Sequence, residues 1–191
     1  MTPTQTLEYL AVATGLWSVW LSKKEHIGVY PTGIVSVVIY VYLCSVGKLY
    51  AEAAINFYYL IMSIYGWFNW SKHKNSNQTT LQITVCTPLQ NLVLVCITAV
   101  IWLGIAAFLR QFTDSTVPYS DGLATAIFFV GMWLMATKKI ENWIYWILGD
   151  LICIPLYYQK GYTATSLQYI AFTAIAVAGF FSWQKKLLKA R

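Results

Sequence analysis

The chain has 191 residues, of which 58% are hydrophobic and only 10% charged. A soluble domain carries about 25% charged residues, and one core at this length could not hide so much apolar surface, so the surplus must face lipid. The formal charge of +6 sits in short clusters between apolar runs rather than along a face, which argues against a nucleic-acid partner.

A helix needs roughly 20 mostly apolar residues to cross a hydrocarbon core about 30 Å thick. Seven runs meet or approach that length: Thr6–Leu21, Ile27–Val46, Tyr50–Trp70, Leu89–Leu109, Asp121–Thr137, Asn142–Tyr158 and Tyr162–Trp183. In lipid a segment must satisfy its own backbone polar groups, so each run is read as a helix. The expected fold is therefore all-α: a polytopic membrane protein with seven transmembrane helices in a single membrane domain over 1–191. Met1 to Leu10 carries no Lys or Arg ahead of its apolar run, unlike a cleaved signal peptide. A polar linker, Ser71–Pro88, with Lys72, Lys74 and Gln78, follows the third run. A shorter loop, Arg110–Ser120, carries Pro118. The cysteines Cys44, Cys86, Cys96 and Cys153 form no CxxC pair and show no ligand spacing with His26 or His73, so they read as small apolar residues.

Basic residues are unevenly shared between the two sides. Lys23, Lys24, Lys72, Lys74, Lys138, Lys139, Lys185, Lys186, Lys189 and Arg191 fall on the side of the first, third and fifth loops and the C-terminus. Only Lys48, Arg110 and Lys160 fall on the other. The positive-inside rule makes the first side cytoplasmic, with the N-terminus outside and the C-terminus inside.

The chain also echoes itself. Gly66-Trp67-Phe68-Asn69-Trp70-Ser71-Lys72 ends the third run, and Gly179-Phe180-Phe181-Ser182-Trp183-Gln184-Lys185 ends the seventh, 113 residues later. Trp20-Leu21 and Trp133-Leu134 share that separation. Three helices leave the chain on the opposite side from its entry, so a fourth is needed before a parallel copy can begin. The expected plan is a first three-helix repeat over 6–70, a linking helix over 89–109 and a second repeat over 121–183, related by an axis along the membrane normal.

Asp150 lies at the centre of the sixth run. An Asp there costs about 2.5–3.5 kcal/mol on insertion scales, so it should face the protein interior or a wet cavity. Trp143, Trp146, Asp150, Cys153 and Tyr157 fall on one helix side, which offers a carboxylate flanked by rings to a cationic or hydroxylated ligand. The competing reading is an interhelical hydrogen bond or a partnership with a neighbouring Lys. The third run carries Glu52, Asn56, Tyr59, Ser63, Gly66 and Trp70 on one face, and the seventh carries Thr165, Gln168, Phe172, Ala176, Gly179 and Trp183. Asn56 and Gln168, one residue out of register, suggest a site between the repeats or simply amides that glue helices. Gly66 and Gly179 read as close-packing positions. The W-x-x-W pairs Trp17/Trp20, Trp67/Trp70 and Trp143/Trp146 read mostly as an interfacial belt, with Trp146 the exception because it shares the Asp150 face. Pro155 permits a kink. No P-loop, Ser/His/Asp set or HExxH occurs, so neither an enzyme nor a cofactor or metal is expected. Without a Lys or Arg deep in a run, a phosphorylated ligand is ill served.

The segments Glu52-x-x-x-Asn56-x-x-Tyr59 with Tyr65-Gly66-Trp67-x-x-Trp70, Asn142-Trp143-x-x-Trp146-x-x-x-Asp150 with Leu156-Tyr157-x-x-Lys160, and Thr165-x-x-x-Tyr169-x-x-Phe172 with Gly179-x-x-x-Trp183 resemble the PnuC family of bacterial nicotinamide riboside transporters. The resemblance covers essentially the whole chain. It implies a full-length SWEET-like fold in the bacterial inner membrane and uptake of nicotinamide riboside, a vitamin B3 form that feeds NAD biosynthesis. It further implies facilitated diffusion, with a cytoplasmic kinase trapping the product. The Pro-Gln motif of sugar-carrying SWEET proteins is absent from the first and fifth runs, so hinge roles do not carry over. The ligand is a fixed pyridinium cation with an amide and ribose hydroxyls. Asp150 would complement its charge or its hydroxyls, Trp146 and Tyr157 would stack on its flat ring, and Asn56 and Gln168 would bond its amide or ribose; Tyr59 and Phe172 complete the candidate substrate-binding set. An ion-coupled carrier or channel for another flat cation such as thiamine is the competing function. The sequence leaves the oligomeric state open, and a homo-oligomer is compatible with it.

Overall fold

The structure, a computed structural model, describes residues 3–47, 50–75, 81–113, 115–159, 161 and 163–190. Lys48, Gln78, Lys160, Tyr162 and Arg191, used above, lie outside them. Among the described residues the chain forms seven helices: α1 (Pro3–Lys23), α2 (Val29–Val46), α3 (Tyr50–Asn75), α4 (Pro88–Phe112), α5 (Pro118–Ala136), α6 (Asn142–Gln159) and α7 (Thr163–Ala190). Each coincides with one apolar run. Val29–Val46, Pro88–Phe112, Pro118–Ala136 and Thr165–Lys189 are long and apolar enough to cross a membrane by length and composition. The remaining helices, α1, α3 and α6, are of similar length but richer in Tyr, Trp and polar residues.

The polar linkers are shorter than expected because helix continues into them. α3 runs past Trp70 to Asn75, and α4 extends to Phe112. Thr87 caps α4: its hydroxyl accepts from the Gln90 N–H at 3.2 Å, while the Gln90 side chain accepts from the Thr87 N–H at 3.0 Å. Pro118 opens α5 at a position where a missing N–H costs nothing. The segment before α4 also has structure that no periodicity announces. The Thr84 N–H donates to Lys138 O at 3.0 Å and the Ile140 N–H to Thr84 O at 3.0 Å. The Cys86 N–H donates to Glu141 Oε1 at 2.8 Å.

The chain divides into two compact units, Met1–Gln82 and Ile83–Arg191. In the first, α1 packs on α2 and α2 on α3; in the second, α4 packs on α5, α5 on α6 and α6 on α7. α4 meets α5 closely at Gly122, which faces the Ala106 backbone. Cys86, Leu94, Val130 and Leu134 form a buried apolar cluster with Ile101 and Tyr145 packed on it.

The 113-residue echo recurs in the backbone. α1 ends when Glu25 takes a left-handed φ of 61°, and α5 ends when Lys138 takes one of 53°. The His26 N–H then donates to Leu21 O and the Glu25 N–H to Ser22 O; the Lys139 N–H donates to Leu134 O and the Lys138 N–H to Met135 O. Both are Schellman endings, built without the usual glycine. The entries to the next helices match as well: Tyr30 N–H to Ile27 O and Trp143 N–H to Ile140 O, each 3.2 Å. Further along, Tyr30 lies edge-on to Trp70 at 5.1 Å and 89°, and Trp143 lies edge-on to Trp183 at 5.5 Å and 89°. A Cβ on Gly66 would collide with Tyr30, and one on Gly179 with Trp143. The two glycines are packing positions. Trp70, Trp143 and Trp183 are buried, so they are core rather than belt, whereas Trp17, Trp20, Trp67 and Trp133 are exposed as a belt requires. Cys86 and Cys153 are buried, but Cys96 is exposed on α4.

Candidate substrate-binding site

The second unit gathers five of the seven candidate residues onto α6 and α7. α6 starts at Asn142, whose side chain donates to Lys139 O at 2.6 Å and so fixes the turn. It continues through Pro155 to Gln159. The Ser166 hydroxyl of α7 donates to Ile154 O at 2.8 Å and ties the two helices beside that proline. On this frame Asp150 is 4% exposed, and among the described residues none donates a hydrogen bond to it. A carboxylate held so deeply in an apolar helix needs a counter-charge, a donor or a proton.

Trp146 and Tyr157 do not touch each other directly. They are joined through two rings that sequence spacing did not single out as ligand residues. Phe128 of α5 lies 5.5 Å from Trp146 at 30° and 6.4 Å from Tyr169 of α7 at 9°. Tyr169 stacks on Tyr157 at 5.3 Å and meets Phe172 edge-on at 6.3 Å. The result is a run of rings, Trp146, Phe128, Tyr169 and Tyr157, drawn from three helices, with the buried carboxylate one helical turn beyond Trp146. Gln168 and Phe172 are half-buried on α7. Trp143, on the same predicted side of α6, is occupied with Trp183 and Gly179 instead.

Asn56 and Tyr59 belong to the first unit, both half-buried on α3. One amide N–H of Asn56 donates to Glu52 O at 2.9 Å within its own helix, which leaves the second N–H and the oxygen as its polar end. The 113 register holds along α3 and α7, so Asn56 corresponds to Tyr169 and Tyr59 to Phe172. The two amides are not counterparts, and the Tyr59/Phe172 pair is the true correspondence. The in-register match of Asn56 with Tyr169 is the sequence signal that points to Tyr169.

A family model for nicotinamide mononucleotide transporters matches residues 5–185. The chain belongs to the nicotinamide mononucleotide transporter family. The nicotinamide riboside transporter PnuC of Escherichia coli (strain K12) is 26% identical, over 93% of this chain and 84% of its own length. That of Neisseria mucosa is 26% identical over 96% and 73%. A crystal structure of the vitamin B3 transporter PnuC superposes with a TM-score of 0.76 at 26% identity, covering 96% of this chain and 83% of that one. As a member of the nicotinamide mononucleotide transporter family, the chain is a multi-pass membrane transporter and not an enzyme.

Proposed function

We propose that this transporter carries nicotinamide riboside into the cell, and that the buried Asp150 next to the ring array holds it. A carboxylate with no donor among the described residues complements a fixed pyridinium charge or ribose hydroxyls, and flat rings complement the pyridinium face, with a cation–π contribution of about 0.5–2 kcal/mol. The relatives named above, which carry nicotinamide riboside in their names, support the same ligand. The mononucleotide fits less well. Lys and Arg in the helices stand near their ends, such as Lys23, Arg110 and Lys185, and a phosphate held near Asp150 would lack a cationic partner.

The chain consists of two three-helix copies joined by α4. It sits in the inner membrane with its N-terminus outside and its lysine-rich C-terminus in the cytoplasm. Transport is facilitated diffusion by alternating access, drawn inward by a cytoplasmic kinase that phosphorylates the riboside.

Calorimetric titration of the purified protein with nicotinamide, its riboside, its mononucleotide and thiamine tests the ligand. Riboside binding is expected, with none for the mononucleotide. Asp150→Asn should weaken the riboside by about 1.5–3 kcal/mol, roughly ten- to a hundredfold; equal binding would remove the counter-charge. Uptake into vesicles should persist after proton and Na⁺ gradients are collapsed, and its loss would replace facilitated diffusion by a coupled carrier.

A further inference from the structure

The correspondence of the two units supplies an internal control for the ring array. In the second unit, Phe128 of α5 lies against Gly149 of α6, where an added Cβ would collide with its ring. The corresponding pair in the first unit is Gly15 of α1 and Ser36 of α2, which meet in the same way, a Cβ on Gly15 lying 3.0 Å from Ser36 Oγ. Large and small have changed sides. At the neighbouring crossing a Cβ on Gly131 would lie 3.2 Å from Tyr145 Cβ and 3.7 Å from the Trp146 ring, and its counterparts are Ser18 and Gly33, a Cβ on Gly33 lying 3.0 Å from Ser18 Oγ. One helix pair is thus packed at these crossings with only Gly and Ser. Nothing in this packing geometry demands an aromatic ring at position 128.

The ring that is there does more than fill space. Phe128 is the member of the array that reaches both α6 and α7, touching Trp146 at 5.5 Å and Tyr169 at 6.4 Å, nearly parallel to the latter. Gly149, one residue before Asp150, admits it. We infer that Phe128 is a positioning residue: seated in the Gly149 notch, it sets the ring planes of Trp146 and Tyr169 and so determines affinity for a flat aromatic cation. This inference rests on the riboside reading given above. Aromatic neighbours hold one another in offset or tilted arrangements. A branched aliphatic side chain at 128 would fill the notch and leave both rings free to turn.

The test is calorimetric titration of purified protein with nicotinamide riboside for wild type, Phe128→Leu, Phe128→Met and Phe128→Tyr, with thermal unfolding of each followed in parallel. The Leu and Met variants should bind about five- to tenfold more weakly with unfolding midpoints close to wild type, and Phe128→Tyr should restore affinity. The Met variant, with its adaptable side chain of similar volume, guards against a fold defect in the Leu variant. If wild type binds the riboside and both aliphatic variants bind it equally well, the positioning role is overturned while the riboside reading stands. If wild type does not bind it, both fall.

Discussion

The α1–α2 and α5–α6 hairpins share a backbone and differ in what fills it. Both turn through a left-handed residue, Glu25 or Lys138, and re-enter helix with the same hydrogen bonds. In the first hairpin the helices approach on Gly15 and Gly33 and are clasped by two hydroxyls: Ser18 donates to Val29 O at 2.7 Å and Ser36 to Ala11 O at 2.8 Å. In the second, Gly149 makes room for Phe128, and Gly131 lies against Tyr145 and the Trp146 ring. Four array positions, Phe128, Trp146, Tyr157 and Tyr169, correspond to Gly15, Gly33, Cys44 and Asn56. One copy therefore spends its helix crossing on closure, with small residues and hydroxyl-to-carbonyl bonds. The other spends the same crossing on a ring platform. The two packings can differ because either choice fits the same turn.

The largest effect expected concerns what the copies still share. Gly66→Ala and Gly179→Ala each force a methyl against a buried ring, Tyr30 or Trp143. Each should destabilise the protein by about 1–3 kcal/mol, seen as a lowered thermal midpoint in detergent. A large loss at one site and none at the other would break the equivalence. A smaller effect concerns the clasp. Ser18→Ala and Ser36→Ala should each cost about 0.5–1.5 kcal/mol of stability with riboside affinity unchanged. An affinity loss comparable to that of Phe128→Leu would show that the first hairpin is part of the binding surface.

The smallest effect leaves stability at neutral pH untouched. Burial first, and the Glu141 carboxylate next, push the Cys86 thiol up to about 11. The neutral thiol is thus the form favoured by the fold. At neutral pH both folded and unfolded chains keep it protonated, so it contributes no pH dependence there. Above the ordinary value of 9.0 the unfolded chain ionises first, and stability falls as pH rises. Alkylation of the folded protein at neutral pH should be roughly a hundredfold slower at Cys86 than at a free thiol, measured by mass spectrometry. Labelling at the free-thiol rate would mean that the linker before α4 does not stay docked on the α5–α6 turn, a tie for which the first copy has Gly28 in place of Glu141.

Much of this architecture can be read from the chain before any coordinates. Lipid leaves a segment no choice but to satisfy its own backbone, so apolar length alone locates α1 to α7. Asp150 stands out because a carboxylate is so costly in that setting. Residues whose meaning depends on a neighbour helix could not be read this way. Trp70, Trp143 and Trp183 look like belt residues until Tyr30, Gly66 and Gly179 are seen against them. Phe128 and Tyr169 look like ordinary apolar residues until their rings meet Trp146 and Tyr157. Thr84 to Cys86 has no periodicity at all, because its bonds go to a turn more than 50 residues away.

The sequence by itself determined seven helices, their order, the 113-residue repeat in its letters and the cost of one buried acid. These follow from local physics: hydropathy, helix period and charge in lipid. The tertiary structure alone decided which rings pack the core and which form the array across α5, α6 and α7. That division depends on which side of each helix crossing holds the glycine, a choice that the two copies make in opposite ways.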